Sequence, residues 1–358
     1  MPSVVALLAA AAPAQARIQL GLASEPGAAA KQRAQAPFGF RYQYLAGGVN
    51  TGDGWAGWND PKGTFVDRYI GETEKNLMVP VFSYYMIRQS LPGRDDSNEP
   101  RAVLDNLKNE ATMRDWYADV KLFLKHAGRF PKTPVVLHLE PDMWGYAEQA
   151  GRDLGPLARR VVRMRDKHAP NVLLAYHLSV WGTGVDISIS DPSNEETDRL
   201  ARKAGRYYRS LDAKFDLTFT DWSDRDAGFK QAIYGAGPEA WWTGADHRRA
   251  VRFIRAYSRK ARQRVAVWQL PLGNTRRSVV NNTWGHYQDN HVQWLLGKGN
   301  RDHLRSLARA GGLAVLFGGG ADGTTCACDA DGNGADDDGG YFRARGRAYY
   351  DRGPLRLP

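Results

Sequence analysis

Short apolar runs, each followed by a longer amphipathic segment, recur along most of this chain. This alternation constrains the fold more than any other feature. The runs cover residues 38–45, 78–85, 134–139, 172–178, 215–220, 265–270 and 313–317, and are rich in Val, Leu, Phe and Tyr. Amphipathic segments at 111–126, 155–167, 195–211, 246–262 and 284–296 lie between them. Strands alternating with helices at this spacing are parallel β/α units. Continuous apolar runs are what a parallel strand buried on both faces requires. The expected fold is a TIM-like parallel β/α barrel, distorted to seven strands. It occupies a single domain over residues 37–358, with an acidic insertion at 326–340.

The N-terminal residues read differently. An apolar run at 4–12 leads to Ala14-Gln15-Ala16, the pattern of a secretory signal and its cleavage site over residues 1–16. The basic residues that usually open such a leader are missing, so it reads as truncated. Residues 17–36, rich in Ala, Gly, Gln and Arg, are expected to be a linker. These features predict a secreted or extracytoplasmic protein. No apolar stretch is long enough to predict a membrane span. The 49 Lys and Arg against 39 Asp and Glu leave a net charge of +10, which favours anionic surfaces or polymers. No nucleic-acid-binding pattern accompanies that charge. Oligomeric state is not legible.

A parallel barrel carries its chemistry at the C-terminal ends of its strands. There the runs end in polar and aromatic residues. Tyr44 ends the first, with Trp55 and Trp58 beyond it, and Tyr84 lies at the end of the second. His138, Glu140, Asp142 and Trp144 follow the third. His177 and Trp181 follow the fourth, Asp221 and Trp222 the fifth, Trp268 and Gln269 the sixth. Aromatic faces beside hydrogen-bonding groups suit sugar rings, so these aromatics, His138, His177 and Gln269 are candidate substrate-binding residues. No phosphate cradle, nucleophile elbow or metalloprotease motif appears, and no cofactor is expected to be required.

The carboxylates carry the chemistry. His138, Glu140 and Asp142 are spaced by two and would share one face of an extended strand. Two acids so close should repel and raise one pKa, as a general acid working near neutral pH needs. Asp322, in a Gly-rich segment after the last run, and Asp221 are further candidate catalytic carboxylates.

The segment Leu139-Glu140-Pro141-Asp142 after Val135-Val136-Leu137 resembles a strand end of glycoside hydrolase family 6, the cellobiohydrolase and endoglucanase family. Residues Gly318-Gly319-Gly320-Ala321-Asp322-Gly323-Thr324 resemble that family's late Gly- and Asp-containing motif. The resemblance implies a seven-stranded barrel, with Asp142 as general acid and Asp322 as base. The chain departs from the family in three ways. The second run lacks a terminal carboxylate, Gly320 replaces a Glu, and the usual disulfides are absent. The expected function is a secreted glycoside hydrolase cleaving a polysaccharide, β-glucan-like, by carboxylate acid/base catalysis and with inversion. The alternatives are a barrel that binds glycans without cutting them, and a lyase or transferase acting on an anionic polysaccharide.

One further motif stands near the C-terminus. Asp329, Asp331 and Asn333 open like a calcium loop, and Asp337 could add an oxygen. The bidentate Glu that would close such a loop is replaced by Gly340. The expectation is a possible structural calcium. Cys326 and Cys328, just before it, are too close in sequence for a relaxed disulfide, though a strained one could add a local staple.

Overall fold

The computed structural model describes residues 17–328 and 337–358. Eight parallel strands close into a barrel in simple sequence order. They are β1 (Gln19–Ala23), β2 (Phe40–Leu45), β3 (Val79–Tyr84), β4 (Val135–Leu139), β5 (Val172–His177), β6 (Leu217–Asp221), β7 (Val265–Leu270) and β8 (Gly312–Phe317). Closure comes from β1 pairing with β8, Leu22 opposite Phe317.

The helices form the outer ring. They are α1 (Ala29–Gln35), α2 (Thr64–Lys75), α3 (Glu99–Lys108), α4 (Glu110–Ala127), α5 (Met143–Gln149), α6 (Gly155–His168), α7 (Asn194–Ser210), α8 (Ala227–Tyr234), α9 (Gly244–Ala261), α10 (His291–Leu296), α11 (Arg301–Arg309) and α12 (Tyr341–Asp351). Their starts follow from local sequence. Asn109 caps α4 by accepting from Thr112 N–H, and Thr243 with Asp246 forms a reciprocal capping box on α9.

Every residue of β3, β5, β7 and β8 is buried, which explains why their runs are apolar without a break. Alternate side chains fill the barrel: Phe40, Tyr42, Val81, Val136, Ala175, Phe219, Trp268 and Leu316 are among them. The outward set, including Leu137, Leu139 and Val267, joins the helices in the larger core.

Three expectations are corrected here. The barrel has eight strands rather than seven. The missing one, β1, and helix α1 lie in the segment read as a linker. Strand β1 is short and carries little apolar bulk because its inward position is Gly21. A Cβ there would meet Phe40 Cβ at 2.8 Å and Leu316 Cγ at 2.9 Å, so nothing larger than hydrogen fits. The helix expected over 284–296 is confined to His291–Leu296. Asn282 and Gly285 adopt positive φ of 65° and 81°, so the preceding stretch turns instead. Residues 1–16, read as a signal peptide, lie outside the described residues. Among the described residues, no helix is long and apolar enough to cross a membrane.

Candidate active site

A cavity of about 340 Å³ opens at the C-terminal end of the strands. Its lining includes Tyr44, Tyr85, Asp142, His177, Asp221, Asp224, Arg225, Trp268 and Gln269. Six of these are sequence candidates, delivered by the ends of β2, β4, β5, β6 and β7.

The β4 end does not stay extended. The strand stops at Leu139, and Glu140 and Asp142 then take positive φ of 47° and 70°. For residues other than glycine this is strained backbone, of the kind that accumulates at functional sites. The twist breaks the expected alternation, so His138, Glu140 and Asp142 do not share a face. Glu140 instead accepts from the backbone N–H groups of Met86 and Ile87 and from Trp116 Nε1 at 2.6 Å, and is buried. Burial pushes its carboxyl up to about 8. Its oxygens are engaged in holding the β3 end to α4, away from the cavity.

Asp142 faces the cavity at the start of α5. Burial is the largest influence on its carboxyl, with Asp221 and Glu99 adding repulsion. Together they outweigh the attraction of His177 and Arg225 and raise the pKa to about 7. Asp221, at the end of β6, behaves oppositely. Burial works to raise it, but His177 outweighs burial and holds the carboxyl below its usual value.

His177 joins the mouth to a polar row that runs into the barrel. Its Nδ1 lies 3.0 Å from His138 Nε2, and His138 Nδ1 lies 3.2 Å from Ser83 Oγ. Its Nε2 lies 3.4 Å from Asp221 Oδ1. An ionised Asp221 can only accept, so the proton belongs on His177 Nε2. The His177 Nδ1–His138 Nε2 and His138 Nδ1–Ser83 Oγ contacts continue the row inward, each sharing one proton between its two partners. Burial, with repulsion from His177, drives the His138 pKa well down, so His138 is neutral. The His177–Asp221 contact is close but poorly aligned. His177 Nε2, Asp221 Oδ1 and the indole Nε1 of Trp268 are all buried without a hydrogen-bond partner. Leaving three such atoms unsatisfied is expensive unless a ligand completes them.

Across the mouth, Gln269 has a positive φ of 60° and donates from Nε2 to Tyr44 OH. A Cβ on Gly320 would come within 2.1 Å of that amide nitrogen. The glycine that replaces the acidic residue of the resembled motif therefore makes room for Gln269.

The remaining sequence candidates lie elsewhere. Asp322 is exposed in a turn after β8 and does not line the cavity. His138 sits beneath the mouth against Phe219 and Trp268. Tyr84 and Trp55 point outward and both donate to Asp119, at 2.6 and 2.7 Å. Trp144 is buried between Tyr176 and Phe215, and Trp222 between Trp242 and Trp294. Trp181 packs on Tyr146, and Trp58 is partly exposed with its ring edge-on to Phe65. Asp329, Asp331 and Asn333 fall outside the described residues. The Asp337 carboxylate lies 3.3 Å from His286 Nε2 and beside Cys326. Cys326 and Cys328 are joined as a disulfide, with Cα atoms 5.3 Å apart, inside the ordinary span for such a bond.

Sequence reasoning missed Asp224, Arg225 and Tyr85 as lining residues. Arg225 pairs with Asp224 rather than with Asp221. Their position directly after the β6 and β3 ends was the available signal.

No family model matches the sequence, and no curated protein is matched by it. Solved structures are similar in fold. A family 26 β-mannanase from Bacteroides ovatus aligns with a TM-score of 0.52 at 13% identity, covering 99% of this chain and 93% of that one. The exo-β-1,4-mannosidase Op5Man5 from the Opitutaceae bacterium strain TAV5 aligns at 0.54 and 11% identity, covering 94% of this chain and 60% of that one. A family 6 enzyme from Orpinomyces sp. Y102 aligns at only 0.36 and 16% identity, over 66% of this chain and 63% of that one. The chain thus spans less than two thirds of the length of the last two. At these identities the first two likenesses are of fold, and the third lends the family 6 resemblance no weight. What they establish is a parallel β/α barrel.

Proposed function

We propose that the protein is a glycoside hydrolase acting on a polysaccharide, exported from the cell, with its reaction at the barrel mouth. The observation that carries this is one cavity bearing two carboxyl groups pushed in opposite directions. Asp142 is raised to about 7 and Asp221 is held low by His177. A pair of acids whose environments separate their pKa values supplies both a proton donor and an anion at one pH. Asp142 would protonate the departing glycosidic oxygen. Asp221, ionised, would either activate water or attack the anomeric carbon, according to the separation of the two groups across a bound sugar. The product anomer distinguishes these routes, and only the first yields inversion.

His177 and His138 are positioning residues in this reading. The imidazole row fixes the Asp221 carboxylate, and the unpartnered Trp268 Nε1 is left to meet a sugar hydroxyl. The barrel is shared with a β-mannanase and an exo-β-1,4-mannosidase, which is compatible with sugar chemistry on this scaffold. The substrate class carries over only as an expectation.

The test compares Asp142→Asn, Asp221→Asn and Asp322→Asn in reducing-end release and in polysaccharide retention. The first two should lose about 10²–10⁴-fold in rate while retaining the polymer. Asp322→Asn should stay near wild type. Retention by all forms without any release would mean a glycan-binding barrel.

A further inference from the structure

A second cavity lies outside the barrel. It measures about 680 Å³, twice the volume of the mouth, and shares no lining residue with it. It is walled by α9, α10, α12 and the segment after β7. Its titratable lining is one-signed. Arg276, Arg277, Lys298 and Arg345 contribute, and among the described residues no carboxylate does. None of these four cations forms an ion pair among the described residues. Arg345 spends only its Nε, on the Leu296 carbonyl at 2.8 Å.

Two further atoms on this wall are buried without partners: His247 Nε2 and Asn290 Oδ1. His247 is 1% exposed, and its Nδ1 lies 2.8 Å from the Thr243 carbonyl. A carbonyl can only accept, so the proton is on Nδ1 and Nε2 presents a lone pair. Stacking on Trp294, with ring centroids 4.5 Å apart, fixes the imidazole. Asn290 donates its Nδ2 to the Trp242 carbonyl at 2.6 Å, which leaves Oδ1 as an acceptor. The wall therefore offers acceptors where the rim offers cations.

Sulfate satisfies the cations but has no proton for the acceptors. A neutral sugar does the reverse. A ligand with hydroxyl donors and negative charge satisfies both, and the cavity has the volume of a small-ligand site. We propose that this is a second binding site, for an anionic oligosaccharide whose acidic groups are carboxylates or sulfate esters. The saccharide part rests on the proposed function; the charge and the free acceptors do not.

The experiment is calorimetric titration of the full chain with four probes: a uronic-acid trisaccharide, a sulfated disaccharide, a neutral glucan trisaccharide and sodium sulfate. Wild type is compared with the exposed-residue pair Arg276→Ala/Arg277→Ala and with Asp142→Asn. Wild type should bind at least one anionic sugar more tightly than sulfate. The arginine pair should weaken that binding roughly tenfold or more, with strong salt dependence, and Asp142→Asn should leave it unchanged. Which anionic sugar binds distinguishes carboxylate from sulfate ester. The site is overturned if neither anionic sugar binds, if the arginine pair binds as wild type does, or if sulfate alone binds as tightly as the sugars. Hydrolysis at the mouth is measured separately, so failure of the reaction and failure of this site give different results.

Discussion

Glu140 and Asp142 are two residues apart, yet their carboxyl groups have different fates. Glu140 is tied to Met86, Ile87 and Trp116, while Asp142 faces open space between His177 and Asp221. The two should separate on substitution. Glu140→Gln should keep the rate per folded molecule within about tenfold, against about 10²–10⁴ lost for Asp142→Asn. Glu140 should instead show in stability. Its folded pKa of about 8 lies above the ordinary carboxylate value, so the native state holds the proton more tightly than the unfolded chain. Its contribution is then full at acid pH and is lost as pH rises through the usual carboxylate range to about 8. Urea titrations across that window should show wild-type stability falling, with a flatter profile for Glu140→Gln. The rate profile follows from the other pair. Activity should fall as pH rises through about 7, where Asp142 loses its proton. It should also fall in acid, below the ordinary Asp value, where Asp221 becomes protonated. The sequence placed Asp142 and Asp221 at strand ends, but it could not separate Asp142 from Glu140. The separation depends on two left-handed residues that no spacing rule signals.

At the scale of elements, strands buried on both faces were legible and the exception was not. Val79–Tyr84, Val172–His177 and Val265–Leu270 read as strands because every residue in them is buried, against either the barrel interior or the helices. Strand β1 escaped because Gly21 gives up its inward side chain to Phe40 and Leu316. Gly21→Val should therefore destabilise the fold by about 1–3 kcal/mol, since neither neighbour is on a flexible tip that can swing clear. A lowered urea midpoint would show it, and an unchanged one would mean that β1 does not close the barrel as described. Gly320 is the counterpart at the mouth. Gly320→Ala should displace Gln269, whose amide nitrogen occupies the space a Cβ needs, and lower activity more than stability. Equal activity in Gly320→Ala and wild type would remove Gln269 from the working site. Of the tryptophans expected as sugar platforms, Trp268 alone lines the mouth. Trp55, Trp144 and Trp222 are buried packing residues, because an aromatic near a strand end can turn to either side of the sheet.

On the scale of the whole molecule, the barrel sets two unlike surfaces apart. The mouth gathers carboxylates beside an imidazole row, whereas the α9–α10–α12 face gathers cations that form no ion pair among the described residues. The net charge of +10 is thus locally structured where Arg276, Arg277, Lys298 and Arg345 converge. That charge was legible in composition; its gathering at one cavity was not, because the four residues come from three separate stretches of chain. The account stands most directly on one comparison: reducing-end release from a panel of neutral and acidic polysaccharides, at about pH 6, by wild type and by Asp142→Asn of matched folding. The account predicts product from wild type on at least one polymer and a loss of about 10²–10⁴-fold in the variant. Equal release from both, or none from wild type on any polymer, would contradict it.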